Sequence, residues 1–87
     1  MHAYFPAILE ADETDGGYVV EVVGTGVNGQ GETRVDAMRE ASEILQSIIW
    51  DAVADGEPIP TPGSPSDEEA RRGALAMIQA TVPAAAA

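Results

Sequence analysis

The sequence predicts an α+β fold of two layers, an antiparallel-rich sheet with one long helix packed on a face, in the order β-β-β-α-(α)-β. Three observations carry that expectation. Two strand-like runs, 3–11 and 18–23, flank a tight Asp- and Gly-rich turn; a helical apolar period extends from about Thr33 to Asp55; and an apolar run, 74–82, follows the helix. At 87 residues the chain is long enough for one modest core and too short for two. One domain is therefore expected over residues 1–83, with an Ala-rich tail, 84–87, that frays.

In the first run Phe5, Ala7 and Leu9 alternate with Tyr4, Pro6, Ile8 and Glu10, giving one apolar and one mixed face. Pro6 predicts an edge position, or a ring nitrogen turned away from the ladder. The segment Asp12 to Gly17 supplies Asp-Gly and Gly-Gly steps for a hairpin turn. Tyr18 to Val23 is β-branched and aromatic, so it pairs with the first strand. Gly24 to Gly31 is glycine-rich, with a short third strand expected at Val27 to Gln30. Its Gly24, Gly26 and Gly29 spell G-x-G-x-x-G, but another strand precedes the helix and no lysine is present, so a turn is expected and no cofactor site.

Thr33 and Asp36 resemble a capping box at the start of the long helix, and Gly56 ends it. Val35, Met38, Ala41, Leu45, Ile48 and Ala52, joined by Ile44, Ile49 and Val53, predict one broad buried stripe. Trp50 falls outside its centre and is expected to pack at the stripe's edge or at a subunit contact. Pro58, Pro60, Pro62 and Pro65 make an extended connector. A short helix is expected after Ser64 or Ser66, with Asp67, Glu68 and Glu69 in its first turn and an end near Gly73. The run 74–82 reads as a closing strand, although its alanines also allow a helix.

Charge narrows the function classes. Fifteen acidic residues against four arginines give a net charge of -11. Such a surface repels phosphate, so no nucleic acid is expected to bind directly, and a basic partner fits better. Solubility alone explains the same acidity. The chain has no cysteine, and its N-terminal residues form neither a signal peptide nor a membrane span, so a cytoplasmic protein that meets no membrane is expected.

No catalytic, cofactor or metal residues are identified, and no enzyme is expected. His2 is the sole histidine and is placed at a fraying terminus. Ser42 and Ser47 lie on the helix without a base to activate them. Among the acids only Glu21 falls inside a strand, whereas Glu10, Asp12, Glu13 and Asp15 gather at or beyond a strand end, a solvated arrangement unlike a metal nuclease.

Four segments carry a resemblance to a known family. Tyr4-Phe5-Pro6-Ala7 is similar to a Tyr-x-Pro-Ala start, and Gly16 to Val20 to a Gly-Gly-Tyr-Val-Val hairpin. Gln30 to Ala37 follows the pattern Gln-Gly-Asp-Thr-x-x-Glu-Ala, and Asp55 to Pro60 reads Asp-Gly-Glu-Pro-Ile-Pro. In this order, over most of the chain, they resemble the N-terminal domain of HicB antitoxins, including stand-alone HicB-like domains. The resemblance implies a degenerate RNase H-like domain that binds and occludes a small basic RNA-cleaving HicA-like toxin. Two departures stand out. Val22 to Val27 lacks the prolines of the family's Pro-Asp-Leu-Pro-Gly-Cys loop and is about one residue shorter. Such antitoxins also usually continue into a ribbon-helix-helix or helix-turn-helix domain, which has no counterpart in these residues, so the chain is a stand-alone member or part of a longer protein.

Within that frame Glu10, Asp12, Glu13, Asp15 and Tyr18 are the candidate partner-binding residues, set to cover the toxin's cationic face. Trp50 is the candidate contact of a homo-oligomer. A structural or regulatory homo-oligomer without a toxin is the alternative function, and a metal-dependent nuclease a remote one.

Overall fold

A computed structural model of the chain describes residues 1–83; the tail expected to fray, 84–87, lies outside them. Four strands form a single sheet: β1 (His2–Ala11), β2 (Tyr18–Val22), β3 (Val27–Gly31) and β4 (Ala74–Thr81). The spatial order is β3-β2-β1-β4, and every neighbouring pair is antiparallel. Strand alternation sends Phe5, Ala7, Val20, Val22, Val27, Ile78 and Ala80 to one face, where they meet Ala37, Ala41, Leu45 and Ile49 of α1 (Arg34–Asp55). The run after the connector is thus a strand, not a helix.

The long helix starts as expected. The Thr33 hydroxyl accepts a hydrogen bond from the Asp36 N–H at 3.1 Å. The reciprocal half of a capping box is missing, because the Asp36 carboxylate instead accepts from Arg39 at 3.2 Å. The helix stops at Gly56, whose N–H bonds the Val53 carbonyl.

The buried stripe is narrower than its sequence pattern. Val35 is 64% exposed, and Ile44 and Ile48 are also exposed. The cause lies in β3, which offers Gly29 and Gly31 where a side chain is usual. A Cβ at Gly29 would lie 2.5 Å from the Ala41 nitrogen. The helix backbone therefore seats directly on the strand, and only the row Ala37, Ala41, Leu45, Ile49 is fully buried, with Met38 partly buried against the same core. Trp50, 51% exposed, is not core packing.

Pro6 occupies an interior strand, contrary to an edge assignment. Its carbonyl accepts from the Val23 N–H at 3.0 Å, but its ring nitrogen has no proton to return to Val23. The connector supplies one: the Gly63 N–H points at the Val23 carbonyl at 3.4 Å. The proline is tolerated because β2 ends beside it.

The connector leads to α2 (Asp67–Arg72), a single short helix with a complete capping box between Ser66 and Glu69. The Ser66 backbone N–H, followed by its hydroxyl, holds the Glu69 carboxyl below its ordinary value. Arg72 bonds Glu21, which alternation places on the sheet face opposite α1, so α2 lies across that second face. Ile8, on the same face, is buried.

Candidate functional site

The candidate site is built on the β1–β2 turn. Asp12 organises it: one carboxylate oxygen accepts from the Thr14 N–H at 3.0 Å and the Asp15 N–H at 3.1 Å. Its carbonyl accepts from Gly16, and its N–H donates to the Gly17 carbonyl, both at 2.9 Å. Gly17 is required twice. Its φ of 76° lies in the left-handed region, and a Cβ there would stand 2.5 Å from the Gly31 carbonyl oxygen. These bonds fix a turn whose outward side chains are carboxylates, with Glu13 and Asp15 exposed.

The turn borders two hollows that share Asp12 and Tyr18. Leu9, Glu10, Glu13, Arg34 and Arg72 complete the first. Asp15, Gln30, Glu32 and Glu40 complete the second. The five residues singled out from the sequence are thus brought together at one end of the molecule. Trp50 is not among them; it lies toward the other end of α1.

Four participants were missed in the sequence reading. Glu32 and Glu40 extend the acidic surface, while Arg34 and Arg72 interrupt it. The Arg34 guanidinium lies 4.9 Å from the centre of the Tyr18 ring, a cation–π contact worth roughly 0.5–1 kcal/mol at an exposed site. Half-buried Tyr18 is braced between this cation and the core. Arg72 is held at 3.1 Å by Glu21 and at 3.8 Å by Glu69, so part of its charge is answered locally. The signal for Glu32 and Arg34 was the hairpin register: Tyr18 pairs with Gly31, which puts the residues after Gly31 beside the turn.

The remaining polar candidates do not converge. Glu21 forms an ion pair, and among the described residues no group of three or more His, Asp or Glu side chains is placed to hold a metal ion. His2 is a member of β1, paired with Thr81 and exposed, rather than a frayed end. Gly24 and Gly26 form the β2–β3 turn, as expected, and Gly29 belongs to β3. Among the described residues no helix is long and apolar enough to cross a membrane.

This arrangement is a mostly acidic end surface on an internally hydrogen-bonded turn, with the Tyr18 side chain among its acids, suited to receive basic side chains. Residues 4–78 match a family model described as HicB_like antitoxin of bacterial toxin-antitoxin system. No curated protein matches the sequence. Among solved structures, the antitoxin HicB of Burkholderia pseudomallei superposes with a TM-score of 0.67 at 23% identity, over 92% of this chain and 63% of that one. This chain thus spans less than two thirds of the Burkholderia protein. A toxin–antitoxin complex from Streptococcus pneumoniae gives 0.70 at 21% identity, over 94% and 71% of the two chains. A HicA3 and HicB3 toxin–antitoxin complex gives 0.61 at 18%, covering 94% of this chain and 100% of the other. These likenesses establish the shared fold.

Proposed function

The chain belongs to the HicB-like antitoxin family of bacterial toxin–antitoxin systems, and from that premise we propose that it binds a small basic HicA-like toxin and blocks its RNA-binding face. The observation that carries the reading is the gathering of Glu10, Asp12, Glu13, Asp15, Glu32 and Glu40 around Tyr18 on a turn fixed by its own hydrogen bonds. A surface that recognises RNA phosphates is cationic, and a preformed carboxylate surface is its electrostatic complement. Little ordering is needed on binding, which favours affinity. The two structural neighbours that are toxin–antitoxin complexes support a toxin as the kind of partner.

On this reading the chain acts by occlusion and carries out no catalysis. Its place is the cytoplasm, where an RNA-cleaving toxin meets its substrate. The acids serve as contacts, and Arg34, which lines the same surface, holds the Tyr18 ring in position.

The test is co-expression with the product of a short, basic reading frame adjacent to the gene. The two proteins should purify as one complex that dissociates at high salt, since contacts between exposed charges weaken with ionic strength. Separate elution of the two at low salt would contradict the reading.

A further inference from the structure

Between α1 and β4 lies a hollow unlike those at the turn. Val35, Met38 and Ser42 of the helix and Met77, Ile78 and Gln79 of the strand line it, together with Arg34 and Arg39. No carboxylate does, although acids outnumber arginines fifteen to four in the chain. The seating of the helix accounts for the gap. Gly29 and Gly31 draw α1 onto β3, at the other side of the sheet, and leave exposed Val35 and half-buried Met38 without a strand beside them.

The strand that borders this hollow is an open edge. Val82 donates its N–H to the Met1 carbonyl at 2.8 Å, so antiparallel alternation turns the backbone groups of Leu75, Met77, Gln79 and Thr81 away from β1. The Gln46 side chain answers Thr81, donating to its carbonyl at 2.7 Å and accepting from its N–H at 2.8 Å. Among the described residues nothing answers Leu75, Met77 and Gln79.

We propose that this edge and hollow together receive an extended segment of another protein, apolar at alternate positions and carrying carboxylates. A strand laid along β4 satisfies the open N–H and C=O groups, and every second side chain enters the space beside Val35 and Met38. The arginines set the partner's charge. Arg34 lies against the Tyr18 ring, and among the described residues its guanidinium has no hydrogen-bond acceptor. Arg39 reaches Asp36 through one nitrogen at 3.2 Å and has further N–H groups to donate. A carboxylate on the incoming strand accepts from these donors, and such charge-assisted bonds are roughly twice as strong as neutral ones.

A second copy of β4 brings no carboxylate, and its own Arg34 and Arg39 would face these. RNA brings phosphate, but it lacks the backbone donors and acceptors of a strand and is repelled by a net charge of -11. The basic toxin is drawn instead to the turn.

The test uses the full chain without toxin, so its outcome is separate from that of toxin binding. A short synthetic peptide of alternating valine and threonine, with a glutamate at each end, is titrated in while backbone amide resonances are followed by nuclear magnetic resonance. The amides of Leu75, Met77 and Gln79 should shift, and replacing both glutamates by lysine should weaken binding by about tenfold. Arg39→Gln, which leaves Arg34 and Tyr18 in place, should weaken the acidic peptide about threefold to tenfold and leave the lysine peptide unaffected. Absent shifts, equal affinity for the two peptides, or shifts confined to the turn would overturn the proposal. So would binding of the acidic peptide only as a dimer of the chain dissociates, which assigns the edge to a second copy, or tighter binding at these amides by a short single-stranded RNA, which assigns the arginines to phosphate.

Discussion

Gly29→Val is expected to abolish the cooperative unfolding transition, or to shift its urea midpoint far more than any surface substitution. A Cβ at position 29 would lie 2.5 Å from the Ala41 nitrogen, 2.6 Å from the Ala37 carbonyl oxygen and 2.8 Å from the Ala41 Cβ. Two of these three atoms are helix backbone, so no change of rotamer relieves the clash. The helix must lift from β3, and Ala37, Ala41, Leu45 and Ile49 lose contact with Val20, Val22 and Val27 along one line. Overpacking in a well-packed core costs typically about 1–3 kcal/mol, and a backbone obstacle places valine at or above the top of that range. Stability near the low end of the usual ~5–15 kcal/mol is expected for a domain this small. Gln30→Ala, one residue away and exposed, should leave the midpoint unchanged. Circular dichroism during urea titration measures both. A Gly29→Val variant with the unmodified midpoint would mean that helix and strand are not in close contact.

The second large effect concerns association. Simultaneous reversal of Asp12, Glu13 and Asp15 to lysine replaces the turn's negative charge with positive charge while its outward side chains remain exposed. Electrostatic steering raises association rates from about 10⁵–10⁶ to as much as 10⁸–10⁹ M⁻¹s⁻¹ at low salt. The triple reversal should therefore slow association with a basic toxin by about tenfold to a hundredfold at low ionic strength. The difference should shrink with added salt, because the Debye length falls to roughly 8 Å at 0.15 M and 3 Å at 1 M. Asp12 also accepts two turn hydrogen bonds, so a double reversal of Glu13 and Asp15 alone separates charge from turn geometry. A control reversal of Asp51, Asp55 and Glu57 alters total charge equally at the far end of β1, about 30 Å away by strand length. It should have a much smaller effect. Equal slowing by both triple variants would show that net charge, rather than this turn, attracts the partner.

Much of the fold was legible because its signals are local. Alternation in β1 and β2, the Gly-Gly step at the turn, the Thr33 cap and the acidic first turn Asp67 to Glu69 each act over a few residues, and each element appeared within a residue or two of its expected bounds. What failed was tertiary. The apolar pattern of α1 includes Val35, Ile44 and Ile48, but how much of a helix is buried depends on how closely its partner approaches, and the Gly29 and Gly31 contacts set that distance. Pro6 suggested an edge for a sound reason, the missing N–H. The connector residue that takes over its role, Gly63, is 57 positions away by the numbering and is invisible to any local pattern.

The site divides in the same way. Glu10, Asp12, Glu13, Asp15 and Tyr18 adjoin along the chain, and their clustering followed from the hairpin alone. Glu32 and Arg34 required the β2–β3 register, and Glu40 required the helix to lie over β3. Arg72 comes from α2, which reaches the site only after the connector has crossed to the opposite face. The first group was readable from spacing; the others depend on the assembled sheet.

The most direct test of an occluding antitoxin is RNA cleavage by the purified basic toxin, measured as this chain is titrated in. Cleavage should fall to background as the chain reaches molar equivalence with toxin, and the triple reversal of Asp12, Glu13 and Asp15 should require a large excess for the same protection. Undiminished cleavage in the presence of excess unmodified chain would contradict the account.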